Sequence, residues 1–140
     1  MDDIKKAIRQ IEFFRDFSDD EAERLLNCSQ WVKFGLGQTI ISEGGDDQYL
    51  YILVRGQVNV VKNRKVLAQI NAGDSFGEIS SLARSPRTAH VIARKECFCL
   101  RLEPFRIDSL PVEIQLKLVK KLLYTLADRL ISINRRYVVT

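Results

Sequence analysis

Residues 76–91 read FGEISSLARSPRTAHV. The stretch opens on a glycine beside a carboxylate, Gly77-Glu78, and closes on Pro86, Arg87 and Thr88 before apolar residues resume. Asn71-Ala72-Gly73-Asp74 turns the chain into it, and Phe76 supplies an apolar anchor. Gly77 permits a close backbone approach or an unusual φ. The run EISSL, Glu78 to Leu82, is long enough for about one helical turn, whose first N–H groups have no partner within the helix and suit an anion. Pro86 restricts the approach to the next strand. Arg87 carries the forked donors that match a phosphate, and Thr88 adds a hydroxyl. Glu78 repels an anion and fits a neutral hydroxyl pair, such as that of a sugar. These residues describe a site for an anion joined to hydroxyls, a sugar phosphate or nucleotide. The other reading is a helical turn in which Glu78 and Arg87 pair with each other.

Outward from this insert the chain is rich in strands. WVKF, QTIIS, YLYILVR, QVNVVK, KVLAQI, RTAHVIA and CFCLRL are short and full of β-branched or aromatic residues. Turn residues separate them, among them Gly35, Gly37, Gly44, Gly45, Gly56 and Gly73. Regular short strands with turns between them predict an antiparallel sandwich or barrel. Lys62-Asn63-Arg64-Lys65 is placed for a tight hairpin.

Helices flank the strands. Ile4, Ala7, Ile8 and Ile11 have helical spacing over the segment Ile4 to Phe14. Ser18 with Glu21 is a capping-box signature for a second short helix carrying Ala22, Leu25 and Leu26. After Pro104 comes a hinge, Phe105 to Leu110, and then Pro111, a good first residue for a helix. The helix that follows has two apolar stripes. Val112, Leu116, Val119, Leu123, Leu126, Leu130, Ile133 and Tyr137 alternate spacings of four and three, a heptad seam. Ile114, Leu118 and Leu122 form a second stripe. Two apolar faces need two partners: the strand region for one, and a second copy of the chain for the other.

The 140 residues allow one domain with a real core. The net charge of +4 is dispersed and reads as a slightly basic solvated surface, not a nucleic-acid footprint. Three cysteines, Cys28, Cys97 and Cys99, give no disulfide framework. Cys97 and Cys99 share one strand face and read as small buried residues. His90 is the only histidine, so no metal set is expected, which excludes a metal-dependent cupin-type enzyme. No Ser/Cys–His–acid set is evident. The amino terminus shows no signal peptide, and no run approaches the roughly 18 apolar residues of a membrane helix. The default compartment is the cytoplasm.

FGEISSLARSPRTAHV resembles the phosphate-binding cassette of the cyclic-nucleotide-binding domain family, the effector domain of catabolite activators and protein kinase A regulatory subunits. Phe76, Gly77, Glu78, Pro86, Arg87, Ala89 and Val91 match its pattern without insertion. FRDFSDDEAERL resembles the family's helical lead-in, GGDDQYLYILVRGQVNVV its strand pair, and GDSFGE its cassette entry. The resemblance implies an eight-stranded antiparallel jelly-roll barrel with flanking helices: a lead-in over residues 1–29, the barrel over 30–103, and a hinge and long helix over 104–140. It implies no enzyme, no cofactor and no metal, but a ligand, cAMP or cGMP. Arg87 would bind the cyclic phosphate and Glu78 the ribose 2′-hydroxyl. Backbone groups of Gly77, Glu78, Ile79 and Ser80, with Thr88 and Ala89, would complete the cradle.

Ser81 stands where many members carry an apolar residue. Thr88 occupies a position where a hydroxyl contacts guanine in cGMP-selective members, and it tilts only weakly toward cGMP. Arg129, Ile133, Asn134 and Arg135 are the candidates for covering the base. His90 is expected to face the barrel or the surface beside the cassette, and Trp31 to be a core or edge residue. The expected function is a sensor module that transmits ligand binding through its C-terminal helix. The alternative is the effector part of a catabolite-activator-type regulator whose DNA-binding domain is absent here. A protein effector is a further expected partner, whereas no direct DNA contact and no membrane partner are expected of this chain.

Overall fold

The computed structural model describes residues 2–138, and side chains for residues 6–135. The expectations for the side chains of Ile4 and Tyr137 lie outside the described residues. Helix α1 spans Asp2–Arg9 and stops short of Phe14; a separate 3₁₀ turn, Glu12–Phe14, follows. Helix α2, Asp19–Asn27, starts at the expected capping box. Glu21 N–H donates to Ser18 Oγ at 3.2 Å, and Ser18 N–H donates to Glu21 Oε1 at 2.9 Å. Two of the helix's unpaired first-turn groups are thereby satisfied.

Strands β1 Ser29–Phe34, β2 Thr39–Ile41, β3 Leu50–Arg55, β4 Gln57–Lys62, β5 Lys65–Asn71, β6 Ser75–Phe76, β7 His90–Ala93 and β8 Cys97–Leu102 follow. Helix α3, Glu78–Ala83, interrupts them after β6. Helices α4, Pro104–Asp108, and α5, Val112–Val138, complete the chain. Among the described residues there are eight strands, but they do not close into one barrel. They form two four-stranded antiparallel sheets, ordered β1-β8-β3-β6 and β2-β7-β4-β5. The eighth strand, β6, has only two residues, too few to stand out from the turn before it in the sequence. The β4–β5 connection is as tight as expected. Asn63 and Arg64 take φ of 52° and 62°, the left-handed pair that matches strand twist in a two-residue hairpin.

Side-chain alternation on β3 creates two cores. Leu50 and Ile52 join Leu100 and Leu102 of β8 against Phe13, Phe14, Leu25 and the α5 stripe. Tyr51 and Leu53 face the other way, into the space between the sheets with Phe34, Val58, Phe76, Cys97 and Cys99. Burial raises the thiol pKa of both cysteines, that of Cys99 to about 12, so they act as small apolar residues. Trp31, on edge strand β1, is half exposed.

Candidate functional site

The insert between β6 and β7 folds as one short helix and an extended return. Phe76 stacks on Tyr51 with ring centroids 5.0 Å apart, which fixes the entry. Gly77 then takes φ of +81°, and a Cβ there would stand 2.9 Å from both Arg87 Nη1 and the Tyr49 carbonyl oxygen. Only glycine meets both conditions. Helix α3 begins at Glu78. The first helical hydrogen bond of the segment runs from Ser81 N–H to Gly77 O at 3.3 Å. The N–H groups of Ile79 and Ser80 therefore precede the helical ladder.

Arg87 is 4% exposed and its guanidinium is held on three sides. Nη2 donates to Asp47 Oδ1 at 2.6 Å and to the Tyr49 carbonyl at 2.7 Å. Nη1 donates to the Gly77 carbonyl at 2.9 Å, and Nε to Asp47 Oδ2 at 3.4 Å. The backbone of Arg87 is clamped as well. Gly44 N–H donates to its carbonyl at 2.8 Å, and its own N–H donates to the Gly45 carbonyl at 3.0 Å. One loop, residues 42–49, thus fixes both main chain and side chain of the arginine. A forked cation so held is oriented before any ligand arrives.

Glu78 is 2% exposed. Arg129, on α5, donates to Glu78 Oε1 from Nη1 and to the Ser75 carbonyl from Nη2. Its Nη2 also lies 3.4 Å from Asp74 Oδ2. Burial pushes the Glu78 carboxyl above the usual carboxylate range, and the nearby Arg129 charge pulls it part of the way back. Glu78 Oε2 and Ser75 Oγ are buried without a hydrogen-bond partner among the described residues. Buried polar atoms are nearly always paired, so these two mark where a hydroxyl or amine would be accommodated.

Glu78 and Arg87 do not pair with each other; each has a different partner. Ser80 is buried and its hydroxyl donates to the Pro86 carbonyl at 3.4 Å. Ile79 and Thr88 are exposed, and Ala89 is half-buried. Of the residues expected over a base, Arg129 is engaged with the acid, while Ile133, Asn134 and Arg135 are exposed. The sequence reading missed Asp47. Asp46-Asp47 is a pair of adjacent acids, but nothing in the sequence couples it to Arg87. Asp74 and Ser75 carried no signal either.

The sequence profile described as cyclic nucleotide-binding domain matches residues 31–110. The chain belongs to this family. It is 34% identical over 89 residues, 64% of this chain, to a cGMP-dependent protein kinase of Plasmodium berghei (strain Anka), of which the match covers 10%. It is 26% identical over 103 residues, 74% of this chain, to a cAMP-dependent protein kinase regulatory subunit of Yarrowia lipolytica (strain CLIB 122 / E 150), of which the match covers 28%. The chain therefore spans less than a third of the length of either relative. A solved cyclic nucleotide-binding domain from Methylobacillus flagellatus KT superposes with a TM-score of 0.84 at 26% identity, over 96% of this chain and 80% of that one. The two facing sheets, the flanking helices and the C-terminal helix are thus the jelly-roll architecture of cyclic nucleotide-binding domains. Among the described residues, no helix is long and apolar enough to cross a membrane.

Proposed function

We propose that this chain is a regulatory module that binds a cyclic nucleotide, cAMP or cGMP, at residues 77–89 and transmits binding through α5. Arg87, with the N–H groups ahead of the α3 ladder, receives the cyclic phosphate. Glu78 receives the ribose hydroxyl. The observation that carries this reading is the divided Glu78 carboxylate: Oε1 is held by Arg129 of α5, and Oε2 is buried and unpartnered. A ribose hydroxyl donating to Oε2 would stabilise the charged carboxylate. The charged carboxylate in turn holds Arg129. Ligand and helix then favour the same protonation state and the same packing, which is the differential contact that a ligand-driven shift requires.

The chain acts as one unit over residues 1–140, with residues 105–110 as the hinge, and it pairs with a second copy through the exposed seam of α5. Val112, Leu116, Val119, Leu123, Leu130 and Ile133 are all exposed. Val112, Val119 and Ile133 are β-branched and share the first heptad position with Leu126; Leu116, Leu123 and Leu130 fill the second. That distribution favours a parallel two-stranded coil.

Calorimetry with cAMP, cGMP and AMP on wild type and Arg87→Ala tests the site. A cyclic nucleotide should bind the wild type, and the variant should lose about 2–5 kcal/mol of binding, the usual cost of truncating a buried, hydrogen-bonded charge. Circular dichroism checks that the variant is folded. Equal binding by a folded variant, or none by the wild type, overturns the assignment.

A further inference from the structure

We propose that His90 is a positioning residue for Arg87, and that it makes the Arg87 clamp loosen in acid. The proposal rests on the reading of Arg87 as the anion ligand. His90 opens β7, three residues after Arg87. Its Nδ1 accepts the backbone N–H of Glu43 at 3.1 Å. A ring nitrogen that accepts must carry a lone pair, so this bond belongs to the tautomer with its proton on Nε2. Glu43 stands at the start of the loop 42–49. Every clamp on Arg87 from outside the cassette comes from that loop: Gly44 N–H, the Gly45 and Tyr49 carbonyls, and the Asp47 carboxylate. The His90 bond ties the loop to the strand that carries the cassette onward, one residue ahead of the first clamp.

Protonation at Nδ1 turns the acceptor into a donor aimed at another donor. The bond is lost and the two N–H groups repel. Charged residues adjoin His90 on the loop and on β4. The Glu43 carboxylate lies on the loop, and Lys62 ends β4, which pairs with β7 at Val61 and His90. These two form an ion pair at 3.6 Å, so the attraction of the acid for an imidazolium is opposed by the ammonium beside it. Strand β2, on the other side of β7, carries no charged residue. Histidine is the side chain whose charge changes across physiological pH. The consequence is an Arg87 held tightly at pH 8 and less tightly at pH 5.5.

The variant His90→Asn keeps an acceptor, Oδ1, near the place of Nδ1 but cannot titrate. His90→Ala removes the acceptor. With cAMP and cGMP as probes, wild-type affinity should fall from pH 8 to pH 5.5 by about two- to tenfold more than that of His90→Asn, the worth of one ordinary hydrogen bond. His90→Asn should match the wild type at pH 8 and keep only the part of the fall that belongs to Glu78. His90→Ala should bind more weakly at both values. Amide spectra of the ligand-free protein separate this from the nucleotide reading. The Glu43 N–H and Arg87 Nε–H resonances should move together between pH 8 and 5.5 in the wild type and stay fixed in His90→Asn. A flat wild-type binding profile, a His90→Asn profile that bends as much as the wild type, or an Arg87 resonance that ignores the titration each overturns the proposal. Coupled resonances without binding of either nucleotide would sink the nucleotide reading and leave the clamp standing.

Discussion

The two halves of α5 are held by different physics. In the first half, Ile114, Leu118 and Leu122 are buried against the helical lead-in and the outer face of β3 and β8. Lys117 adds an ion pair to Glu21 of α2 at 2.6 Å. From residue 123 to 135 no side chain is buried, and Arg129 makes the contacts to Glu78, Ser75 and Asp74. Apolar burial is non-directional and is lost only by exposing a core. An ion pair has a specific partner that something else can compete for or reinforce. The first half therefore serves as the anchor, and the second half is the part that the proposed ligand at Glu78 would move.

The largest expected effect tests the anchor. Leu118→Ala removes a fully buried side chain from the centre of the stripe. It should cost about 2–5 kcal/mol in denaturant unfolding, the usual range for such a truncation. A loss under about 1 kcal/mol would mean that the first half is not fixed by burial. One turn further along and on the opposite face, Leu123→Glu should leave folding nearly unchanged. It should instead convert a dimer to a monomer in light scattering, because a charge in a heptad seam must be desolvated. A wild type that is monomeric at high concentration removes the second copy from the proposal.

This contrast also explains what could be read from sequence. Both α5 stripes follow from spacing alone, because periodicity reports which residues share a face. The structure buries Ile114, Leu118 and Leu122 and leaves Leu123 exposed, a choice that depends on what else reaches the helix. The cassette was legible because its residue types are chemically demanding: Gly77 must be glycine, and Arg87 and Glu78 carry specific donors and acceptors. Their partners were not legible. Asp47 is 40 residues from Arg87 and Arg129 is 51 residues from Glu78, and no local pattern couples charges at such separations. The two-residue strand β6 was invisible for another reason, since a pair of residues has no period.

The smallest expected effect separates the two halves by the sign of a pH dependence. Each half has a carboxylate as its ionic partner. Glu21, half-buried and bonded by Lys117 and by the Ser18 N–H, has its pKa lowered, chiefly by Lys117. A lowered carboxylate contributes stability that is present above its unfolded-state pKa and is lost as pH falls through the folded value. Glu78 is raised, chiefly by burial. A raised carboxylate contributes stability that is present below its unfolded-state pKa and is lost as pH rises through the folded value. Denaturant midpoints of wild type, Glu21→Gln and Glu78→Gln, measured from pH 3 to 8, should therefore diverge in opposite directions. The stability gap of wild type over Glu21→Gln should shrink on acidification, and that over Glu78→Gln should grow. Arg129→Ala removes the charge that pulls Glu78 down, so the Glu78 dependence should extend to higher pH. Amide exchange should then speed up over residues 126–135 while residues 114–122 stay protected. A Glu78→Gln gap that shrinks in acid, as Glu21 does, would mean that Arg129 outweighs burial. The second half of α5 would then be an anchor like the first.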